Sequence, residues 1–398
     1  MRCFLLIGTL ALLTGLRAGA AEWVRAGLNT NQPVWGIRGG LQFAVPPGGF
    51  RGRGGGPRGL IRLGYPVLPG GRYDLINFIA VEPVVKGKRG FSELEHSQLD
   101  QAPGKRLRAV GELSETNAPA DLTPGRFWHA AGGVEQLHVT LRLERFENGA
   151  HVYLVCSQRS DSPDEITLTV HAEPDCAPMD CCILTATMGN MARARQLWLK
   201  EGMITSRMLY PDYQDIHFAN HTSFPLRRLF TTPRGDVLVA ITTDEADPAG
   251  GRPFRGTDSW YYGGAKATQF WRKPKGSFGD DLCAVVNARY TYWQSRRPIP
   301  GGIAFENFEL GERFRDGQQS VFGITRQTPQ ELGFPTARPQ MPQPASGSAG
   351  RARQRAAPAS VARLAPRQHH RGRQSRERTS PRREAQAGID HEPSCPTC

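Results

Sequence analysis

The sequence predicts a mainly β protein: a single large antiparallel β-sandwich, jelly-roll or supersandwich-like, with few short helices and a disordered C-terminal tail. Three observations carry that expectation. Many short runs alternate apolar and polar residues with period two, which turns one side of each run toward a core and the other toward water. Turn-forming residues punctuate the runs, with 45 glycines and 31 prolines in 398 residues, as a fold of many short strands requires. Helical periodicity is scarce.

Leu137, Val139, Leu141 and Leu143 alternate with His138, Thr140, Arg142 and Glu144; Glu147-Asn148-Gly149 then supplies a turn, and residues His151 to Cys156 return. Asn-Gly tolerates the positive φ angles of a tight hairpin. The run Ile166 to Val170 follows Asp161-Ser-Pro-Asp164, so three consecutive antiparallel strands are expected. Further strands are expected at Leu60 to Leu63, Leu75 to Val85, Val237 to Thr243, Leu282 to Asn287, Ile303 to Leu310 and Ser320 to Thr325, with turns at Pro69-Gly-Gly71 and Asp244-Glu-Ala-Asp247. The Gly-rich stretch Pro46 to Gly59 reads as a loop insertion.

Residues Asn190 to Lys200 admit two readings. With Asn190 as cap, Met191, Ala194, Leu197 and Trp198 on one face and Gly202 as terminator, they form a helix. With Ala192, Ala194 and Gln196 alternating against Arg193 and Arg195, they form a strand.

The two ends differ from the body. Met1-Arg2, the apolar run Phe4 to Leu16 and the small triplet Ala18-Gly19-Ala20 make residues 1–20 an expected signal peptide, too short for a spanning helix. The protein is accordingly expected to be secreted or periplasmic, with no transmembrane segment after leader cleavage. Residues 21–332 are the expected sandwich. Residues 333–398 hold 12 arginines and no lysine against 4 acidic residues, so this tail supplies +8 of the formal +13, the leader +2 and the body only +3. Its Arg/Pro/Ala-rich composition and single aromatic, Phe334, cannot offset chain entropy by burial, and disorder is expected. Because the basic charge belongs to the tail, the body does not read as a nucleic-acid binder.

Motif tests exclude several classes. Gly54-Gly55-Gly56-Pro57-Arg58-Gly59 spells GxGxxG, yet strand-like segments flank it and no helix follows to present amides to a pyrophosphate. There is no phosphate-loop lysine, GxSxG elbow or HExxH zinc signature. Cys176, Cys181 and Cys182 lack paired CxxC spacing, and export favours disulfides or buried thiols for the body cysteines. No cofactor and no metal are expected.

Two segments are chemically dense. In Tyr210 to His221, followed by Arg227 and Arg228, planar polar groups suit sugar hydroxyls, cations suit uronate carboxylates, and His or Tyr can move a proton. Tyr213, His217 and His221 are the candidate catalytic residues, with Asn220 and Arg227 for substrate; on a helix, His217 and His221 would share a face. The second segment, Asp258 to Gly264 with Gln269 to Arg272, offers Trp260, Tyr261, Tyr262 and Trp271 to stack on a pyranose and Arg272 to hold an anionic substituent. Both segments also have a plain structural reading, as surface histidines and half-buried strand aromatics. Glu306 and Glu309, at odd spacing in one strand, are expected on opposite faces, and Glu93-Leu-Glu95 is the same-face alternative.

In its general organisation the body resembles the exported bacterial β-sandwich proteins that act on or bind polysaccharides, lyase and mutarotase-like sandwiches among them. That resemblance implies a partner that is a polysaccharide or cell-surface glycan. It further implies a lyase reading in which His217, His221 or Tyr213 abstracts a proton while Arg227 or Arg272 neutralises the uronate carboxylate. The alternative is a non-catalytic extracytoplasmic interaction domain with a basic adhesive tail.

Overall fold

A computed structural model describes residues 21–26, 33–46, 58–110, 123–187, 193–244, 267–291 and 296–336, together with the backbone of 252–253 and 261–262. The expected leader and residues 337–398 lie outside the described residues, as does most of the Pro46–Gly59 stretch.

The strands form two large antiparallel sheets packed face to face, the sandwich that the alternation predicts. A ten-stranded sheet runs through Trp23–Val24, Val34–Ile37, Gln42–Ala44, Leu60–Leu68, Arg72–Val85, Cys181–Thr187, Ala304–Gly311, Cys283–Arg289 and Thr222–Pro225, with Lys88–Arg89 on the Arg72–Val85 strand. An eleven-stranded sheet runs through Gly202–Thr205, Ala194–Leu199, Val237–Thr243, Thr268–Lys273, Gln318–Thr325, Glu165–Ala172, Val152–Arg159, Glu135–Leu143 and Leu107–Val110, with Phe230–Thr231 and Arg126–His129 at its edges.

The expected meander is present: Glu135–Leu143 pairs with Val152–Arg159, which pairs with Glu165–Ala172. Gly149 turns at φ 91°, and the Asn148 side chain accepts from the Ala150 N–H. Alternation then sets the layers. Ile79 and Val81 of one sheet and Leu137, Val139, Leu154 and Phe322 of the other are fully or almost fully buried in one continuous core, while Phe78 and Glu82, or His138 and Thr140, turn away from it.

The ambiguous Asn190–Lys200 stretch resolves as the strand Ala194–Leu199, residues 188–192 being outside the described set. Its β character is tertiary: Val237–Thr243 and Gly202–Thr205 flank it on both sides. The one α-helix among the described residues is Ser206–Leu209, capped by the Thr205 side chain.

The fold also extends past its expected end at Leu332. Phe334 is buried against Trp198 and Phe230, with ring centroids 6.4 and 4.7 Å away, in a second cluster outside the eleven-stranded sheet.

Candidate functional site

The outer face of the ten-stranded sheet carries a cluster of buried ionisable groups, and a β-bulge positions one end of it. Between the pairs Val286↔Phe308 and Ala288↔Phe305 the register shifts, so Glu306 and Asn307 together oppose Asn287. Phe305, Phe308 and Leu310 all reach the core. The extra residue changes parity, and Glu306 and Glu309 both leave the core on the same side, contrary to the opposite faces that odd spacing implies.

Around Glu306 the parts interlock. Its carboxylate lies 3.8 Å from Arg289 Nη1. Asn287 Oδ1 accepts from the Asn307 N–H at 2.9 Å, which leaves the Asn287 Nδ2 group to meet His221 Nε2 at 3.3 Å. Nδ2 can only donate, so Nε2 is the acceptor and the imidazole proton sits on Nδ1. Glu306, Asn287 and Arg289 are buried, whereas His221 is exposed. Burial pushes the Glu306 carboxyl up to about 7, against the opposing pull of Arg289.

The predicted Tyr210–His221 segment is held beside this group as an extended loop. The Tyr210 hydroxyl donates to the Val286 carbonyl and can accept from the Thr222 hydroxyl, each at 3.0 Å; the Ala219 N–H donates to the Ala288 carbonyl at 2.8 Å; and the Thr222–Pro225 strand pairs with Cys283–Arg289. Phe218 bridges to Arg289 and sets its exposed ring 4.9 Å from the guanidinium carbon. Tyr213 packs half-buried at the core margin, and burial raises its phenol. His217 and Asn220 are exposed, the His217 N–H donating to Asp215. Arg227 is exposed on the turn Leu226–Arg228 beyond the same edge strand. Because the segment is extended, His217 and His221 do not share a helix face. Among the described residues no group of His, Cys, Asp and Glu is placed to hold a metal ion.

A second charged group lies further along the same face. Arg89 pairs with Glu82 and, at 2.9 Å, with Glu309; Thr185 donates to Glu309 at 3.2 Å. Glu93 is close enough to be felt, and burial pushes it to about 7 and Glu82 upward as well. Glu82, Glu93, Glu306 and Arg289 are residues that sequence reasoning missed as a set. Glu82, Glu306 and Arg289 stand in ordinary strand contexts and Glu93 in the turn after Lys88–Arg89, and only the tertiary fold gathers them.

The described end of the second predicted segment, Gln269 to Arg272, does not join this face. Trp271 is a core residue, 1% exposed, edge-on to Phe322 with Nε1 donating to the Phe308 carbonyl at 2.8 Å, so it cannot stack on a ligand. Arg272, its neighbour on the alternating strand, points out of the eleven-stranded sheet and is held by Glu165 and Asp236. It therefore looks away from His221 across the thickness of the sandwich, roughly 10 Å between sheets alone. Trp260 lies outside the described residues; Tyr261 and Tyr262 form a short strand against Arg252–Pro253, their side chains undescribed. Trp271 and Arg272 therefore do not share a face with His221.

Cys156, Cys176 and Cys182 are free thiols and Cys283 is disulfide-bonded. No helix among the described residues is long and apolar enough to cross a membrane.

No protein-family model matches the sequence, and no curated protein matches it. Among solved structures, the chain is similar to a crystal structure from Klebsiella pneumoniae subsp. pneumoniae assigned as an aldose 1-epimerase, at 10% identity and a TM-score of 0.35, covering 78% of this chain and 83% of that one. A likeness of that size carries no inference about what this chain does.

Proposed function

We propose that this protein, working outside the cytoplasm, is a carbohydrate-processing enzyme whose proton transfers take place at His221 on the outer face of the ten-stranded sheet. One observation carries the reading: an exposed imidazole oriented by a buried amide, Asn287, stands beside the buried pair Glu306–Arg289, whose carboxyl titrates at about 7. Such a group couples surface chemistry to pH in the neutral range, where acid–base catalysis is most efficient.

Sugar is the substrate class that the surroundings suit. The exposed Phe218 ring presents an apolar face for a pyranose, while Asn220, His217 and Tyr213 supply planar or hydroxyl partners for its rim. The exposed Arg227 favours an acidic sugar. With Nε2 turned to Asn287, the Nδ1–H of His221 is the hydrogen-bond donor available to a substrate oxygen; to protonate a leaving oxygen the ring first takes a proton from solvent, so that neutral imidazole is left after the transfer.

The test is a panel of acidic and neutral polysaccharides incubated with the purified protein, read by ultraviolet absorbance of unsaturated products and by reducing-end release. Turnover is expected on an acidic polymer, reduced about 10²- to 10⁴-fold in His221→Gln. Glu306→Gln, acting through Arg289 and Asn287, is expected to move the pH profile. Undiminished turnover in His221→Gln would sink the assignment.

A further inference from the structure

We infer that the opposite side of the molecule, the outer face of the eleven-stranded sheet, carries a separate carbohydrate-binding surface centred on Trp128. This does not rest on the reading of the His221 face.

The edge strand Arg126–His129 pairs with Glu135–Leu143 so that Trp128 stands opposite Gln136 and Arg126 opposite His138. Phe127 and Leu137, the pair between, turn inward: Leu137 is fully buried in the core and Phe127 packs against it, edge-on to Trp23 at 5.2 Å. Alternation therefore sends Trp128, Arg126, Gln136 and His138 outward together. The next strand widens the patch, placing Arg159 opposite Gln136 and Ser157 opposite His138.

Trp128 is 57% exposed, an unusual outlay of aromatic surface to leave in water. The His138 ring lies 5.9 Å from it, tilted by 57°, so one flank of the indole is braced while its other surface stays open. His138 Nε2 is itself buried and makes no hydrogen bond to any described residue. Asp161 holds the Arg159 guanidinium through two contacts, at 2.9 and 2.8 Å, and fixes its plane.

A pyranose presents one face of C–H groups and a rim of hydroxyls. A braced, open indole ringed by an amide, an imidazole and guanidinium groups answers both, through stacking and through planar hydrogen-bonding partners. The apolar part of the patch is a single side chain, far below the roughly 800 Å² per partner of a stable protein interface, and its neighbours are polar. A sugar fits that size; a second protein does not.

The experiment is native affinity electrophoresis of the full chain through gels containing hydroxyethylcellulose, xylan or polygalacturonate. The wild type is expected to be retarded by at least one polymer, Trp128→Ala to weaken that retardation about tenfold, and Trp128→Phe to keep most of it. Gln136→Ala gives an independent reading if Trp128→Ala fails to fold. The inference is overturned if no polymer retards the wild type, if Trp128→Ala and Gln136→Ala both run as wild type, or if sedimentation shows that Trp128 instead mediates self-association.

Discussion

The Glu306 carboxylate lies 3.8 Å from Nη1 of Arg289, on adjacent strands of one sheet, and neither side chain is more than 6% exposed. The contact exists because a bulge places Glu306 and Asn307 together against Asn287. Without the extra residue Glu306 would turn into the apolar core, where an ionised carboxylate costs several kcal/mol even after relaxation. With it, the carboxyl stays on the polar face but is still cut off from water.

That isolation makes Glu306 a pH-sensitive stability element. Its folded value of about 7 exceeds the ordinary 4.5, so the folded state holds the proton more tightly than the unfolded one. The contribution is fully present below about pH 4.5 and is lost as the pH rises through about 7, a change of about 3 kcal/mol. Glu82 and Glu93 shift the same way, so the wild type alone does not isolate the effect. The difference between wild type and Glu306→Gln does. Urea denaturation at several pH values is expected to show the wild type's advantage over Glu306→Gln shrinking by about that amount across this window; a constant difference would refute it.

A second buried ion pair ties the two sheets together. Lys273, ending a strand of the eleven-stranded sheet, contacts Glu312, just beyond the last residue of Ala304–Gly311 in the other; both are almost completely buried. Lys273 also donates to the Gln319 carbonyl at 2.8 Å. Glu312 keeps Arg315 as a second partner, whereas Lys273 without Glu312 is a buried charge left with a carbonyl, so Glu312→Ala is expected to cost about 3–5 kcal/mol and Lys273→Ala less, and Lys273→Met with Glu312→Leu costs much less than the two single changes combined. A double-mutant cycle in urea measures the coupling.

Trp271 supplies the third test, because its placement removes it from ligand binding. Trp271→Ala is expected to destabilise by about 3–5 kcal/mol through the cavity it leaves and the hydrogen bond to Phe308 that it loses. At temperatures where the variant remains folded, affinity for carbohydrate is expected to match the wild type. A selective loss of binding with unchanged thermal stability would return Trp271 to the surface.

Period-two alternation with turn residues was sufficient to locate nine of the strands, most of the longer ones among them, because a half-buried pleated ribbon imposes that pattern on any sequence that forms it. Val237–Thr243 and the Glu135–Ala172 meander lie where the alternation and turn residues put them. Boundaries were less legible. Phe334 read as part of a polar extension because its partners, Trp198 and Phe230, are more than a hundred residues away. The Ala194–Leu199 strand was undecided for the same reason, since its pairing neighbours settle what its own residues leave balanced.

The candidate site divides along the same line. Clustering in sequence was enough to single out Tyr210 to His221, a run whose composition is unusual wherever it sits. Glu306 carries no such mark, and parity counting even turned it the wrong way, because a bulge is a property of two paired strands and is invisible in one. Trp271 and Arg272 looked like partners of His221 by chemistry alone, but neighbouring positions on a strand face opposite ways, and sheet order then sent one into the core and the other to the far side.

The chain by itself therefore determined the class of fold, the strand periodicity and the segment richest in proton-moving groups, since these depend on local backbone geometry and on composition. Tertiary structure alone decided which charged groups share a face, which are cut off from water and which aromatics remain exposed, because burial and apposition come from pairing between strands and from the packing of one sheet on the other.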